Sequence, residues 1–432
     1  MGRFLIVVPP LVGHTNPTVS LGGELVARGH DVAWAGHPEV AAMLPPGAPL
    51  LPVAGAPPPE IVEAATVRNR APVGGAVGFK AVWEEIVLPL ARHMVPGVEA
   101  VTDDFGPDVL VVDQQALAGA AVALRRGLPW ATTATTSAEL IDPLAYVPRV
   151  RAWLRDQMRR VLVDAGVDAA RAEAVDPRFS PELVIGLTTP GLVGPGPFPD
   201  HWALVGPALS DRHDDTPFPW DWLDGVRPAV LVSLGTVNWR AGARFFAVAA
   251  EALGGMDVQA VIVAPPDLVP DRPPNVLVLS RVPQLALLER VAAVVGHGGH
   301  NTVVEALAAG VPLVLAPLRD DQPIVADQVV RAGAGVRVKF HRVTAPALRA
   351  AVASVLEAPA HREAAARVRA SFAAAGGARA AADRLEGLLA PAGVAASPTV
   401  RRTATEQSTG SVTLGAGPDL NEPGTGRGAP GR

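Results

Sequence analysis

The sequence predicts an α/β protein made of two Rossmann-type domains in tandem, each with its own parallel sheet. Short apolar runs alternate with longer helix-period segments from end to end, the signature of parallel strands joined by crossover helices. The pattern stops in an Asp- and Pro-rich stretch near residue 215 and then restarts. A length of 432 residues suits two or three domains of ordinary size.

In the first half, Arg3–Val8 reads as a strand, and Pro17–Arg28 as a helix with Pro17 at its start and Gly29 just past its end. Asp31–Ala35 is the next strand. After the turn Gly106-Pro107-Asp108 come the strand Val109–Val112 and the helix Ala116–Arg126, closed by Gly127. Leu183–Leu187 and Trp202–Val205 are later strands, giving an N-terminal domain over residues 1–210. The linker is placed at 211–227, where Asp214, Asp215, Pro217 and Pro219 cluster. Beyond it, Ala229–Ser233 is a strand, Ala241–Leu253 a helix, and Gln259–Val263 and Val276–Leu279 are strands. Val291–Val295, Asn301–Ala309 and Pro312–Leu315 form a strand–helix–strand unit with Gly310 as the helix stop. The C-terminal domain spans 228–375, and a terminal helix over 376–392 is expected to pack back on the N-terminal domain. Residues 393–432 turn to Ser, Thr, Gly, Pro and Arg, too polar to offset their ordering entropy, and read as a disordered tail.

Composition narrows the chemistry. With 37 basic against 42 acidic side chains and lysine only at 80 and 339, no basic stripe marks a nucleic-acid partner. The absence of cysteine removes disulfides, thiolate nucleophiles and Cys-ligated metal sites. The apolar run Phe4–Val12 is broken by Pro9-Pro10 and followed by Gly13-His14, so it reads as a buried strand and not as a signal peptide. No window reaches the roughly 18 apolar residues of a spanning helix. A soluble, cytoplasmic protein without integral membrane contact is expected.

In open parallel sheets ligands bind beyond the carboxyl ends of the strands, so the loops after strands are where chemistry is sought. There is no Walker loop, and no G-x-G-x-x-G follows the first strand, which disfavours a kinase or a dehydrogenase. The most informative segment is Gly296-His297-Gly298-Gly299-His300-Asn301-Thr302-Val303-Val304-Glu305, between a strand and a helix. Its glycines admit close approach to the backbone, and the unpaired amides near residues 299–302 add to the helix dipole, an anion site suited to phosphate. His297, at the rim, can donate to a phosphate oxygen. Glu305, one turn beyond Asn301, can bridge the vicinal hydroxyls of a ribose. The blander alternative is a Gly-rich turn with Glu305 on a solvated face. His297 and His300 also form His-x-x-His, but without a third ligand at helical spacing phosphate is preferred to a metal.

His-Gly-Gly-x-x-Thr-x-x-Glu at 297–305 resembles the donor-binding signature of family 1 glycosyltransferases, nucleotide-sugar-dependent enzymes with two facing Rossmann-like domains, the glycosyltransferase B-type fold. Arg281-Val282-Pro283-Gln284 is similar to the family's segment beside the nucleobase, and Ser233-Leu234-Gly235-Thr236 to its phosphate loop. Ala316-Pro317-Leu318-Arg319-Asp320-Asp321-Gln322 looks like its Asp-Gln pair at the donor sugar. Gly13-His14-Thr15-Asn16-Pro17 looks like the loop carrying the catalytic histidine. These segments cover about residues 3 to 390 in the family's order, and the branch resembled is the bacterial macrolide type, which glycosylates secondary metabolites. His300 departs from the pattern, standing where many members carry a small or apolar residue.

The resemblance implies that His14 is the general base for an acceptor hydroxyl, a task suited to a neutral imidazole. Asp113, at another strand end, would orient it, although a helix N-cap is its plainer reading. The implied donor site comprises Ser233, Gly235, Thr236, Val282, Gln284, His297, Gly299, Asn301, Thr302 and Glu305, with Asp321 and Gln322 on sugar hydroxyls. The implied reaction is direct displacement with inversion, the leaving diphosphate being stabilised by His297, the amides of 298–302 and Thr236. No metal and no cofactor beyond the nucleotide sugar is called for. An Asp-Gln pair suits a fully hydroxylated hexose, so UDP-glucose leads over a dTDP-deoxysugar. The acceptor is expected to be a hydrophobic small molecule, a polyketide, macrolide or similar metabolite, held by the N-terminal half. Phe79, Trp83, Ile86 and Leu90 recur at near-helical spacing with Met94 beyond them, and such a stripe is more often core than pocket. The resemblance places part of it, notably Phe79, Trp83 and Met94, and the stretch Thr133 to Tyr146 against the acceptor. A nucleotide-sugar epimerase of the same build and a non-catalytic nucleotide-sugar-binding protein are the alternatives.

Overall fold

A computed structural model of the protein describes residues 1–53, 57–70, 74–209 and 215–389. Two parallel sheets organise it, as the sequence predicts. The first has the order β3-β2-β1-β4-β5-β6-β7. Its strands are β1 (Arg3–Val7), β2 (Asp31–Gly36), β3 (Leu50–Pro52), β4 (Val109–Asp113), β5 (Trp130–Ala134), β6 (Leu183–Gly186) and β7 (Trp202–Leu204). The second has the order β10-β9-β8-β11-β12-β13. Its strands are β8 (Ala229–Ser233), β9 (Gln259–Val263), β10 (Val276–Leu279), β11 (Ala293–Gly296), β12 (Leu313–Leu315) and β13 (Gly335–Arg337).

Helices cover both faces of each sheet, so the central strands are apolar on both sides. In β1, Phe4 and Ile6 enter one cluster with Val111 and Ala131, while Leu5 and Val7 enter the opposite one with Leu110 and Val112. Strand order reverses between β1 and β4 and again between β8 and β11, which leaves a crevice at the carboxyl end of each sheet. Val7 is in register with Val112, so the loop after β1 emerges beside Asp113. Gly296 is in register with Ser233, which brings the loops after β8 and β11 together in the second domain.

The helix expected at Pro17–Arg28 begins earlier and spans Val12–Ala27, with Leu11 in an extended conformation as its N-cap. Pro17 is therefore inside the helix, where it removes one amide donor without stopping the turn. His14 consequently stands in the first helical turn. The helix expected at Asn301–Ala309 opens one residue earlier and spans His300–Ala308.

The helix Gly377–Glu386 lies against the first domain. Ala381, Ala382 and Leu385 share a core with Phe4, Leu21 and Leu25, and Arg28 donates to Asp383 at 2.6 Å and to Glu386 at 3.0 Å. The preceding helix, Pro359–Ala375, enters the core of the second domain through Ala364, Val368 and Phe372. At the junction the Gly377 N–H donates to the Val205 carbonyl at 2.8 Å. Of the expected linker, residues 211–214 lie outside the described residues, as does the expected tail at 393–432. Among the described residues no helix is long and apolar enough to cross a membrane.

Candidate active site

The chain leaves β1 through Pro9-Pro10 and turns at once into a helix, so His14 rises above the end of β4. Its Nδ1 lies 2.9 Å from Asp113 Oδ1 and 3.0 Å from Oδ2. Asp113 is fully buried and its Oδ1 also accepts from the Gln115 N–H at 2.9 Å, so one carboxylate shapes the local turn and holds the imidazole. Thr135, just past β5, donates its hydroxyl to Asp113 Oδ2 at 2.8 Å and sits 2.9 Å from His14 Nδ1. A carboxylate behind Nδ1 keeps the proton on that nitrogen and leaves Nε2 as the basic one. Burial alone would depress the His14 pKa. The charge and hydrogen bond of Asp113, with the charges of Asp321 and Glu139, outweigh burial and raise it above the ordinary value.

In the second domain β11 delivers His297 to the start of the helix His300–Ala308. The glycines around it are required by contact. A Cβ on Gly299 would lie 2.3 Å from His297 Nε2, and one on Gly235 2.9 Å from its Cε1. Gly298 adopts φ of 86°, where a side chain would be strained and would meet the Gln322 carbonyl at 3.1 Å. Burial lowers the His297 pKa to about 4, a backbone hydrogen bond at Ser233 opposing this and the Arg319 charge adding to it. At neutral pH His297 is therefore uncharged. Gln284 donates its side-chain amide to Glu305 Oε2, which joins the two residues expected at the nucleoside.

Both halves open onto one cleft of about 1800 Å³. His14, Phe79 and Trp83 line it from the first domain. Gly235, Thr236, Gln284, His297, Gly299, Asn301, Thr302, Glu305 and Asp321 line it from the second. Five expected residues do not reach its walls, the first being Asp113, which is buried behind His14. Met94 is buried in the first-domain core beside Leu110 and Val122, on the inward side of the stripe that carries Phe79 and Trp83. Val282 is in the core of the second domain. The Ser233 hydroxyl is buried and accepts from the Gly235 N–H at 3.3 Å. Gln322 Oε1 accepts from the amides of Leu318 and Arg319 at 3.0 and 3.2 Å, bracing its own loop.

Several residues at the domain interface carry no local sequence signal, because their partners are remote along the chain. Thr136 donates to Asp321 Oδ2 at 2.6 Å across 185 positions. Arg68 pairs with Asp320, and its carbonyl accepts from Arg319 at 2.8 Å. His300 is engaged the same way, Nδ1 lying 3.2 Å from the Ser137 hydroxyl and Nε2 3.3 Å from the Leu187 carbonyl. Its unusual presence is thus explained by the contact between domains. Among the described residues no group of three His, Asp or Glu is arranged to hold a metal ion.

The sequence matches the profile of the erythromycin biosynthesis protein CIII-like C-terminal domain over residues 248–388. The 4'-demethylrebeccamycin synthase of Lentzea aerocolonigenes is 33% identical over 425 residues, covering 90% of this chain and 99% of that protein. Demethyllactenocin mycarosyltransferase of Streptomyces fradiae is 29% identical, covering 91% of this chain and 87% of its own length. The solved structure of the kitacinnamycin glycotransferase superposes with a TM-score of 0.70 at 29% identity, covering 90% of this chain and 99% of that one. With a relative this similar along its whole length, the chain belongs to the family 1 glycosyltransferases, in the branch that serves secondary metabolism.

Proposed function

We propose that the protein transfers a hexose from a nucleoside diphosphate sugar, UDP-glucose ahead of a dTDP-deoxysugar, to a hydroxyl of a hydrophobic small molecule, with inversion at the anomeric carbon. The observation that carries this is the shared cleft: His14, backed by Asp113, opens onto the same space as the N-terminus of the helix His300–Ala308. His14 Nε2 takes the proton of the acceptor hydroxyl as its oxygen attacks the anomeric carbon. The nucleoside diphosphate leaves from the opposite face, its growing charge received by the helix amides, Thr236 and neutral His297. Those donors supply the stabilisation without a metal ion. Glu305, held by Gln284, is set to bridge the ribose hydroxyls.

Support for an apolar acceptor comes from the walls on the first-domain side, among them Leu11, Phe79, Trp83, Leu144 and Val147. The names of the rebeccamycin and lactenocin enzymes support a secondary metabolite as the acceptor. Support for UDP-glucose comes from the Asp321-Gln322 pair of the sequence, of which Asp321 lines the cleft.

The test is nucleoside diphosphate release from UDP-glucose and dTDP-sugars with a panel of polyketide, macrolide, flavonoid and carotenoid alcohols, with and without a chelator. Acceptor-dependent release that survives chelation, with an inverted anomer by NMR, is expected. Sugar isomerisation without an acceptor would indicate an epimerase instead. UDP binding without transfer to any alcohol would indicate a non-catalytic binding protein.

A further inference from the structure

The helix that carries His14 contains Pro17 in its second turn. A proline nitrogen has no hydrogen, so the Gly13 carbonyl four residues back lacks its helical donor there, and the ring pushes that carbonyl away from the helix axis. Asn301, from the other domain, supplies a donor: its Nδ2 reaches the Gly13 oxygen at 3.0 Å. The orientation of the amide is set by the partner, because a carbonyl only accepts. Gly13 leaves the approach open, the nearest atom to a Cβ built there being Asn301 Nδ2 itself at 3.9 Å.

The two ends of this bond are the two ends of the reaction. Gly13 is the residue before His14, and Asn301 is in the first turn of the helix whose amides face the cleft. We propose that Asn301 is a positioning residue for the base: through the carbonyl that Pro17 leaves open, it sets the first turn bearing His14 against the donor end of the second domain. The base is then aligned by the meeting of the two domains. The proposal rests on the transfer reaction inferred above and moves Asn301 from simple donor contact to alignment of His14.

Two substitutions remove the bond from opposite sides. Pro17→Ala gives the helix an N–H that claims the Gly13 carbonyl, and alanine is the best helix former, so folding is retained. Asn301→Ala removes the donor. Each is compared with the parent in kcat with UDP-glucose and an accepted alcohol, in UDP affinity by calorimetry, and in radius of gyration with and without UDP. Each single variant is expected to lose about three- to tenfold in kcat, the range one net hydrogen bond provides, and Pro17→Ala, outside the donor site, to bind UDP within about twofold of the parent. The double variant is expected to be no slower than the slower single, because both changes delete the same bond. Losses that multiply, parental kcat in Pro17→Ala, or weakened UDP binding at unchanged kcat in Asn301→Ala would overturn the proposal. If the parent transfers no sugar at all, the proposed function fails, and scattering still decides this point. A UDP-induced compaction smaller in both variants supports the alignment role, and one equal to the parent's refutes it.

Discussion

Thr136 donates its hydroxyl to Asp321 at 2.6 Å, tying the loop after β5 to the loop after β12 across the cleft. Burial pushes the Asp321 carboxyl up, and the Thr136 hydrogen bond acts against it. The loop proposed to hold the donor sugar, anchored in this way, is expected to lose its fixed position when the hydroxyl goes. Thr136→Val is expected to raise the donor KM by about three- to tenfold with a smaller effect on acceptor KM. Initial rates over a range of UDP-glucose check this, and an unchanged donor KM removes the anchoring role.

His14 must be neutral to take a proton, and Asp113 holds its pKa above the ordinary value. Activity is therefore expected to fall on the acid side as pH drops through that raised pKa. Asp113→Asn removes the charge, so its acid limb should move to lower pH while kcat falls, since an amide no longer fixes the proton on Nδ1. Thr135→Val should shift the limb less. The pH profiles of kcat/KM decide, and a limb that stays in place in Asp113→Asn separates Asp113 from the titration of the base.

Replacing His14 by alanine is expected to cost about 10²- to 10⁴-fold in kcat, the usual yield of general base catalysis. UDP affinity should be retained, because His14 is on the other wall of the cleft. Turnover close to the parent's would leave the reaction without its base.

His297 and His300 are both held neutral by burial, with pKa values of about 4 against an ordinary 6.5. Below pH 6.5 the unfolded chain takes up protons that the folded one refuses, so stability present at neutral pH is lost as pH falls towards 4. Urea midpoints should decline over that interval, and His300→Gln should flatten the decline. A midpoint independent of pH from 7 to 5 would contradict the neutral assignment.

Gly299→Ala would drive a Cβ to within 2.3 Å of the His297 ring. The ring must shift from the end of the cleft proposed to hold the diphosphate, so UDP binding should weaken by about tenfold, the cost of modest overpacking. Calorimetry with UDP measures it, and parental affinity would show that the ring has room to move.

The strands flanking the two crevices were legible as unbroken apolar runs, since Leu5–Val7, Leu231–Val232 and Val294–Val295 are buried on both faces. Three strands were not. Leu50–Pro52 and Gly335–Arg337 are edge strands of three residues, too short for any periodicity. Trp130–Ala134 mixes Trp and Thr and carries no apolar run. Pro17 misled because proline is commonest at the first position of a helix, whereas here it is tolerated further in. Within the stripe from Phe79 to Met94 the alternation cannot tell pocket from core, and a π-helical turn at Trp83–Val87 rotates the facing of the residues beyond it. The Gly-rich turn at 296–299 and the helix after it were readable because their spacing is local. Thr135, Thr136 and Arg68 act through partners far along the chain, a relation that spacing does not reveal.

The terminal helix also brings the two crossings between the domains together. The chain departs from the first domain just beyond Ala208 and comes home at Gly377, whose amide grips Val205. Departure and return are thus stitched together along one edge, like pages at a spine. Covers bound this way are expected to swing and not to slide, with the widest travel at the fore-edge.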